Sequence, residues 1–91
     1  MSVFITAVHM EPSNGTRHEH IDSVRWQNPQ TLETGQTSRS GMVDWINRGG
    51  QALVADGQGS VRVIVIQTNP PHIRTVADGR PTDNLLSLPR F

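Results

Sequence analysis

The stretch Thr37-Ser38-Arg39-Ser40-Gly41-Met42-Val43-Asp44-Trp45-Ile46-Asn47-Arg48-Gly49-Gly50 decides the fold class. Met42, Trp45, Ile46 and Gly49 follow the i, i+3, i+4, i+7 spacing of one helical face, with Val43 beside them. Ser38 or Ser40 can cap the start, because a side-chain oxygen accepts a hydrogen bond from an unpaired N–H of the first turn. Gly49-Gly50 can end it, since glycine adopts the left-handed conformation at little cost. No other segment reads as an amphipathic helix. The spacing predicts a helix from about Ser40 to Arg48, laid as a lid on a small sheet, with Trp45 its largest contribution to the core.

Upstream of this helix, Val3 to Met10 reads as a strand with Phe4, Val8 and Met10 on one face and Val3, Ile5 and Ala7 on the other. Apolar residues on both faces suggest a central strand or one covered on both sides. Glu11 to Arg17 is a polar loop with an Asn14-Gly15 turn signal. In the second strand, Ile21 to Gln27, Val24 and Trp26 share a face while Ile21 is out of phase. A bulge near Asp22-Ser23 would reset the alternation. After an Asn28-Pro29-Gln30-Thr31 turn, Leu32 to Thr37 reads as a short third strand, and Gly35 suits an edge position.

Downstream, Gln51 to Ala55 is a strand candidate and Asp56-Gly57-Gln58-Gly59 a hairpin turn. Ser60 to Thr68 is the strongest strand, with Val61, Val63 and Val65 on one face and Ile64 and Ile66 on the other. A β-branched run of this kind calls for cover on both faces, yet one helix covers only one. The other face then needs the C-terminal segment, a second copy or a partner, because a sizeable exposed apolar patch marks an interaction site. Asn69-Pro70-Pro71 ends the strand, as proline cannot donate to a ladder. His72 to Val76 reads as a short edge strand and Ala77 to Pro81 as a turn. Leu85, Leu86 and Leu88 in the terminal stretch are expected to fold back onto the domain.

Composition bounds the rest. Ninety-one residues allow a single domain over 1–91, and Leu, Ile, Val and Phe supply 22 of them, above the level of a disordered chain. Eight basic residues balance eight acidic ones, which argues against nucleic acid as a partner. All eight basic residues are arginine, and codon bias from a GC-rich bacterial genome accounts for this better than a surface selected for phosphate or carboxylate. The absence of lysine excludes Schiff-base chemistry. The absence of cysteine excludes disulfides, thiolate catalysis and Cys-based zinc sites. No apolar run is long enough to span a membrane. The start of the chain lacks the basic region of a signal peptide, so a cytoplasmic location is the expectation.

Chemical constellations are few. His18-Glu19-His20 would put two imidazoles on one side of a strand, with His9 on the strand before. His9, His18 and His20 form a candidate metal set, zinc or another divalent ion, with Glu11 or Glu19 as base. The competing reading is a polar loop entering a strand, with His20 hydrogen-bonded near the bulge. Thr34, Thr37, Ser38 and Ser40 at the helix start, with Arg39, could meet an anion, but no Gly-rich loop precedes the helix and capping explains these hydroxyls. There is no Gly-x-Ser-x-Gly elbow, and Asp78 and Asp83 do not form a calcium loop. Trp26 and Trp45 read as core residues. Arg25, Arg62 and Arg74 fall on strands and would form a basic stripe if those strands are neighbours.

Several pieces are familiar in order and spacing: Ile5-Thr6-Ala7-Val8, His20-Ile21 leading to Val24-Arg25-Trp26, Met42-Val43-Asp44-Trp45-Ile46 with Gly49-Gly50, and Arg74-Thr75-Val76-Ala77-Asp78-Gly79 followed by Asp83-Asn84-Leu85-Leu86-Ser87-Leu88-Pro89. Together they resemble a family of small bacterial proteins known as a domain of unknown function, the one numbered 3892. The resemblance covers nearly the whole chain and implies one bacterial domain whose leucine tail belongs to the fold. It brings no activity, cofactor or partner with it.

The expected fold is therefore α+β: a small antiparallel sheet of four to six short strands, one helix packed on one face, and a C-terminal segment folded back. The expected function is a non-catalytic binding domain without a cofactor, acting as a homodimer or against a protein partner through Ile64, Ile66, Arg62 and Arg74. The alternative is a metal-binding protein or metal-dependent enzyme using His9, His18 and His20.

Overall fold

A computed structural model describes residues 2–12, 14–55, 59–77, 80–82 and 84–91. Among these residues seven strands form one sheet: β1 (Ser2–Met10), β2 (Ile21–Gln27), β3 (Thr34–Ser38), β4 (Gln51–Ala55), β5 (Ser60–Ile66), β6 (His72–Ala77) and β7 (Arg80–Thr82). Among the described residues there is one α-helix, α1 (Arg39–Asn47), between β3 and β4. The strand order is β3-β2-β1-β4-β5-β6-β7. The α+β architecture is as expected, but the sheet is mixed rather than purely antiparallel, because β1 and β4 pair in parallel. The reason is topological. β1, β2 and β3 alternate in direction, and α1 carries the chain back to the starting end, so β4 runs alongside β1 in the same sense. The seventh strand lies where a plain turn was expected. It is three residues long and borders only β6, an edge position that tolerates Pro81.

The helix ends follow from local chemistry. Ser38 is the N-cap, its hydroxyl accepting from the Gly41 N–H at 3.1 Å. At the other end Gly49 has φ of 100°. The N–H of Gly50 donates to the Trp45 carbonyl, and that of Gly49 to the Ile46 carbonyl, both at 3.0 Å. These crossed bonds satisfy two carbonyls that the helix leaves open, and only glycine takes that turn without strain. Met42 and Val43 are buried, and Trp45 and Ile46 pack against the same core.

Two bulges align the apolar residues. In β1, Ile5 pairs with Trp26 and Ala7 with Arg25, so Thr6 is an extra residue. The alternation flips there, and Val3, Ile5, Val8 and Met10 are all buried in one core. The two-faced pattern of β1 therefore does not mean cover on both sides; β1 is an inner strand, but the bulge brings two phases onto one face. In β2, His9 pairs with Ser23 and Met10 with Ile21, leaving Asp22 as the extra residue, as the phase of Ile21 predicts. Gly35 sits on the edge strand opposite Trp26. A Cβ there would lie 2.3 Å from the indole, so the position excludes any larger side chain.

Neighbouring strands rotate by roughly 20–25°, and four steps separate β2 from β6. The sheet accordingly coils until the 3-10 turn His18–His20, just ahead of β2, rests against β6. Helix α1 lies in the resulting trough, touching β2, β3, β5 and β6. The core between them contains Val54, Val61, Val63 and Ile73 from the β4–β6 side, and Ile21 and Val24 from β2. The hairpin turn expected at Asp56-Gly57-Gln58-Gly59 falls largely outside the described residues, as do Asp78 and Gly79.

The C-terminal segment folds back, as expected. β4 pairs with β1 only along Ser2–Phe4, which leaves that edge of β1 open further on. The last residues take it: Val8 N–H donates to the Pro89 carbonyl at 2.9 Å and Phe91 N–H to the Val8 carbonyl at 3.1 Å. Leu85, in a 3-10 turn Leu85–Ser87, is fully buried, and Leu86 and Leu88 pack against the core. The leucines thus join the main core instead of covering the opposite face of β5.

Candidate functional site

Strand pairing determines which side chains share the outer face, the one turned away from α1. Val61, Val63 and Val65 point to the core, so Arg62, Ile64 and Ile66 point outward. Register then places Phe4, Leu53, Arg62 and Val76 in one row across β1, β4, β5 and β6. The next row holds Ile64 opposite Arg74, and the one after it Ile66 opposite His72. The sequence-predicted set of Ile64, Ile66, Arg62 and Arg74 is therefore brought together on one surface. Arg62 is exposed, whereas Ile64, Ile66, Arg74, Phe4, Leu53 and Val76 are half-buried. Phe4, Leu53 and Val76 join this surface only through the order of neighbouring strands.

A cleft of about 300 Å3 opens beside this face. It arises because β4–β5 pairing stops at Leu53 and Arg62, while β5 runs on to Ile66. Ile46, Gly50 and Gln51 line one side of the gap, and Arg62 and Ile64 the other.

The remaining predicted groups are dispersed. His18 and His20 lie on a 3-10 turn, not on a strand, and side chains two apart on a turn of three residues per revolution point in different directions. His18 is buried. His20 accepts from the Arg17 N–H at 3.3 Å and packs over Gly15, where a Cβ would meet it at 2.6 Å. His9 is elsewhere, its Nδ1 donating to the Phe91 oxygen, and the Phe91 ring carries the Arg25 guanidinium 4.2 Å from its centroid. The structure does not bring His9, His18 and His20 together, and among the described residues no group of three His, Cys, Asp or Glu converges on a metal position. His72 Nδ1 is 2.9 Å from the Thr68 hydroxyl, and its Nε2 lies 3.7 Å from the Glu19 carboxylate.

The hydroxyls at the helix start are engaged within the fold. Thr37 accepts from the Trp26 indole N–H at 3.0 Å, and Arg39 donates to the Glu19 carbonyl at 2.7 Å. Trp26 and Trp45 do pack on the core, but each is only half-buried. They line a second cleft of about 380 Å3 with Thr37, Met42, Asp44 and Arg48. Each indole is seated on a glycine, Gly35 and Gly50, at a distance that any Cβ would violate. For Trp26 the signal is a large aromatic paired across strands with a glycine, visible only once the register is known, whereas Trp45 meets Gly50 at the end of its own helix.

Fold and surface together define a small α+β domain, one coiled mixed sheet wrapped about one helix, with an apolar and arginine-bearing outer face. A family described as "Protein of unknown function (DUF3892)" matches residues 4–89, and the chain belongs to that family. No curated protein and no solved structure matches the chain. Among the described residues no helix is long and apolar enough to cross a membrane.

Proposed function

We propose that this chain is a non-catalytic binding domain that acts by associating with another protein, or with a second copy, through the outer face of β5 and β6. The observation that carries this reading is the shared face of Arg62, Ile64, Ile66 and Arg74, extended by Phe4, Leu53 and Val76. β-Branched side chains on a sheet gain most of their stabilising effect from packing against something. Here the helix serves the opposite face, and the fold-back of the leucine tail serves the core. A contiguous half-exposed apolar row flanked by cations is the kind of surface that a partner covers.

Site-specific photo-crosslinking in cells tests this reading, with a benzophenone amino acid in place of Ile66 and, as control, in place of Gln30 in the β2–β3 loop. The expected result is a protein adduct from position 66 that disappears when Ile64→Asp is added and does not form at position 30. No adduct at 66, or equal adducts at both positions, overturns it.

A further inference from the structure

Independently of the outer face, we infer that the cleft beside Trp26 and Trp45 binds a small zwitterion with a flat apolar body, a free aromatic amino acid. The cleft lies on the inner side of the sheet, where α1 meets β2 and β3. Its floor is Val3 and Met42, both buried, and its walls are the two half-buried indoles. Three glycines keep it open. The Trp26 ring rests on Gly35 and the Trp45 ring on Gly50, and a Cβ at either position would come within 2.3 Å of the indole. A Cβ on Gly41, at the mouth, would meet Thr37 at 2.9 Å. The close ring pair among the described residues is His9 with Phe91, so the indoles are separate walls and not a stack. Aromatics recruited only as core would close such a gap, since interiors pack to the density of organic crystals.

The rim carries one charge of each sign. Asp44 and Arg48 are exposed and stand four residues apart, a spacing at which an acid and an arginine on a helix ordinarily pair. Here neither side chain has an ion pair or hydrogen bond among the described residues, and Arg48, as the C-cap, has already left helical geometry. A ligand with an ammonium and a carboxylate on one carbon meets both groups at once, the ammonium at Asp44 and the carboxylate at Arg48, while its ring enters between the indoles. The Trp45 N–H adds a donor, because it has no acceptor among the described residues, whereas Thr37 takes that of Trp26 at 3.0 Å. Other ligand classes fit less well. A simple cation would face Arg48, and a phosphate would face Asp44, as like charges. A sugar would lay hydroxyls on Val3 and Met42, where they find no partner. At about 380 Å3 the cleft is near the lower end for small-molecule sites, a size for an amino acid and not for a dinucleotide.

Both tryptophans of the chain line the cleft, so their fluorescence, excited where phenylalanine does not absorb, reads its occupancy. Free phenylalanine is the probe. Phenethylamine lacks its carboxylate, 3-phenylpropionate its ammonium, N-acetylphenylalanine amide both charges, and alanine the ring; glucose stands for the sugars. Phenylalanine is expected to bind at least about tenfold tighter than alanine, because the ring supplies most of the buried area. Its advantage over phenethylamine and 3-phenylpropionate should be about fivefold, because exposed charge contacts are weak. Asp44→Asn should abolish the advantage over 3-phenylpropionate, and Arg48→Gln the advantage over phenethylamine, both with unchanged circular dichroism. Such matched losses are a coupling between one side chain and one ligand group, which a general change in the fold does not produce. Equal or tighter binding of phenethylamine, 3-phenylpropionate, alanine or glucose overturns the inference. Equal or tighter binding of the N-acetyl amide overturns it in favour of an aromatic side chain of another protein. No saturable fluorescence change with phenylalanine, or losses that do not match the charge removed, also overturns it. The crosslink at position 66, on the opposite face, stands or falls separately.

Discussion

The two faces of the sheet are made of the same strands and treated oppositely. On the inner face, Val61, Val63 and Ile73 are closed under α1, with Val63 only 2% and Ile73 0% exposed. On the outer face, one residue away along the same strands, Arg62, Ile64 and Arg74 remain at least partly in water. Residue type alone does not separate them, since Val63 and Ile64 are both β-branched and both suit a strand. The difference is what lies opposite. The inner face has a helix and the leucines of the tail, while on the outer face the His18–His20 turn reaches the His72 end of β6, where Glu19 lies 3.7 Å from the imidazole, and Arg62, Ile64 and Ile66 stay open beyond it. A sequence rich in strand-forming residues therefore carries two meanings, stability on one face and recognition on the other, and only topology tells them apart.

One charge placed on each side should separate the two faces most strongly. Val63→Asp puts a carboxylate into a sealed apolar core, at an expected cost of at least about 4 kcal/mol. A domain this small has little more stability than that to lose, so the variant should be largely unfolded. Ile64→Asp, the very next residue, should stay folded, with stability changed by no more than about 1 kcal/mol. Urea denaturation followed by circular dichroism reads both. If the two variants are equally damaged, the outer face is core in disguise and the binding reading loses its ground.

Much of the inner face was legible from residue spacing, and for identifiable reasons. The helix has a cap at Ser38 and a glycine stop at Gly49, both short-range signals. The β2 bulge was visible because Ile21 breaks phase within a single strand. The Thr6 bulge was not, since the phase change in β1 mimics a strand apolar on both faces; pairing with Trp26 and Arg25 is needed to distinguish them. The parallel β1–β4 pairing was also hidden, because it depends on where the helix returns the chain. The same limit applied to the candidate site. Arg62, Ile64 and Ile66 share a strand and are readable by alternation, whereas Phe4, Leu53 and Val76 join them only through cross-strand register. Only the metal reading places His18 and His20 on a strand; the competing reading, a polar loop entering β2 with His20 hydrogen-bonded, is the one the turn matches, and His-Glu-His by itself is compatible with either.

At the rim of the inner face the indoles are half-exposed and lean on glycine. Gly50→Ala would push a methyl to 2.3 Å from the Trp45 ring. Overpacking of this sort costs about 2 kcal/mol. If that contact is the whole cause, Trp45→Leu should make the alanine almost neutral, and a double-mutant cycle in urea should recover a coupling near the full effect. An alanine equally costly in both backgrounds would trace the damage to the backbone at the end of the helix instead.

The smallest effect is expected at Leu32, and it separates exposure from function. Leu32 is the only large apolar side chain among the described residues that is frankly exposed, at 69%, more so than Ile64 or Ile66. It stands alone in the β2–β3 turn with φ of 62°, a conformation that costs a branched side chain roughly 1 kcal/mol and suits asparagine better. The turn itself is held by Asn28, whose side-chain oxygen accepts from the Gln30 and Thr31 N–H groups, so it does not depend on the leucine. Leu32→Asn should therefore raise stability by about 0.5 kcal/mol and leave the crosslink at position 66 untouched. Isolated exposed leucines are ordinary, whereas the β5–β6 row is contiguous, register-matched and flanked by arginine. A loss of the crosslink on Leu32→Asn would mean that general stickiness, not the outer face, draws the partner in.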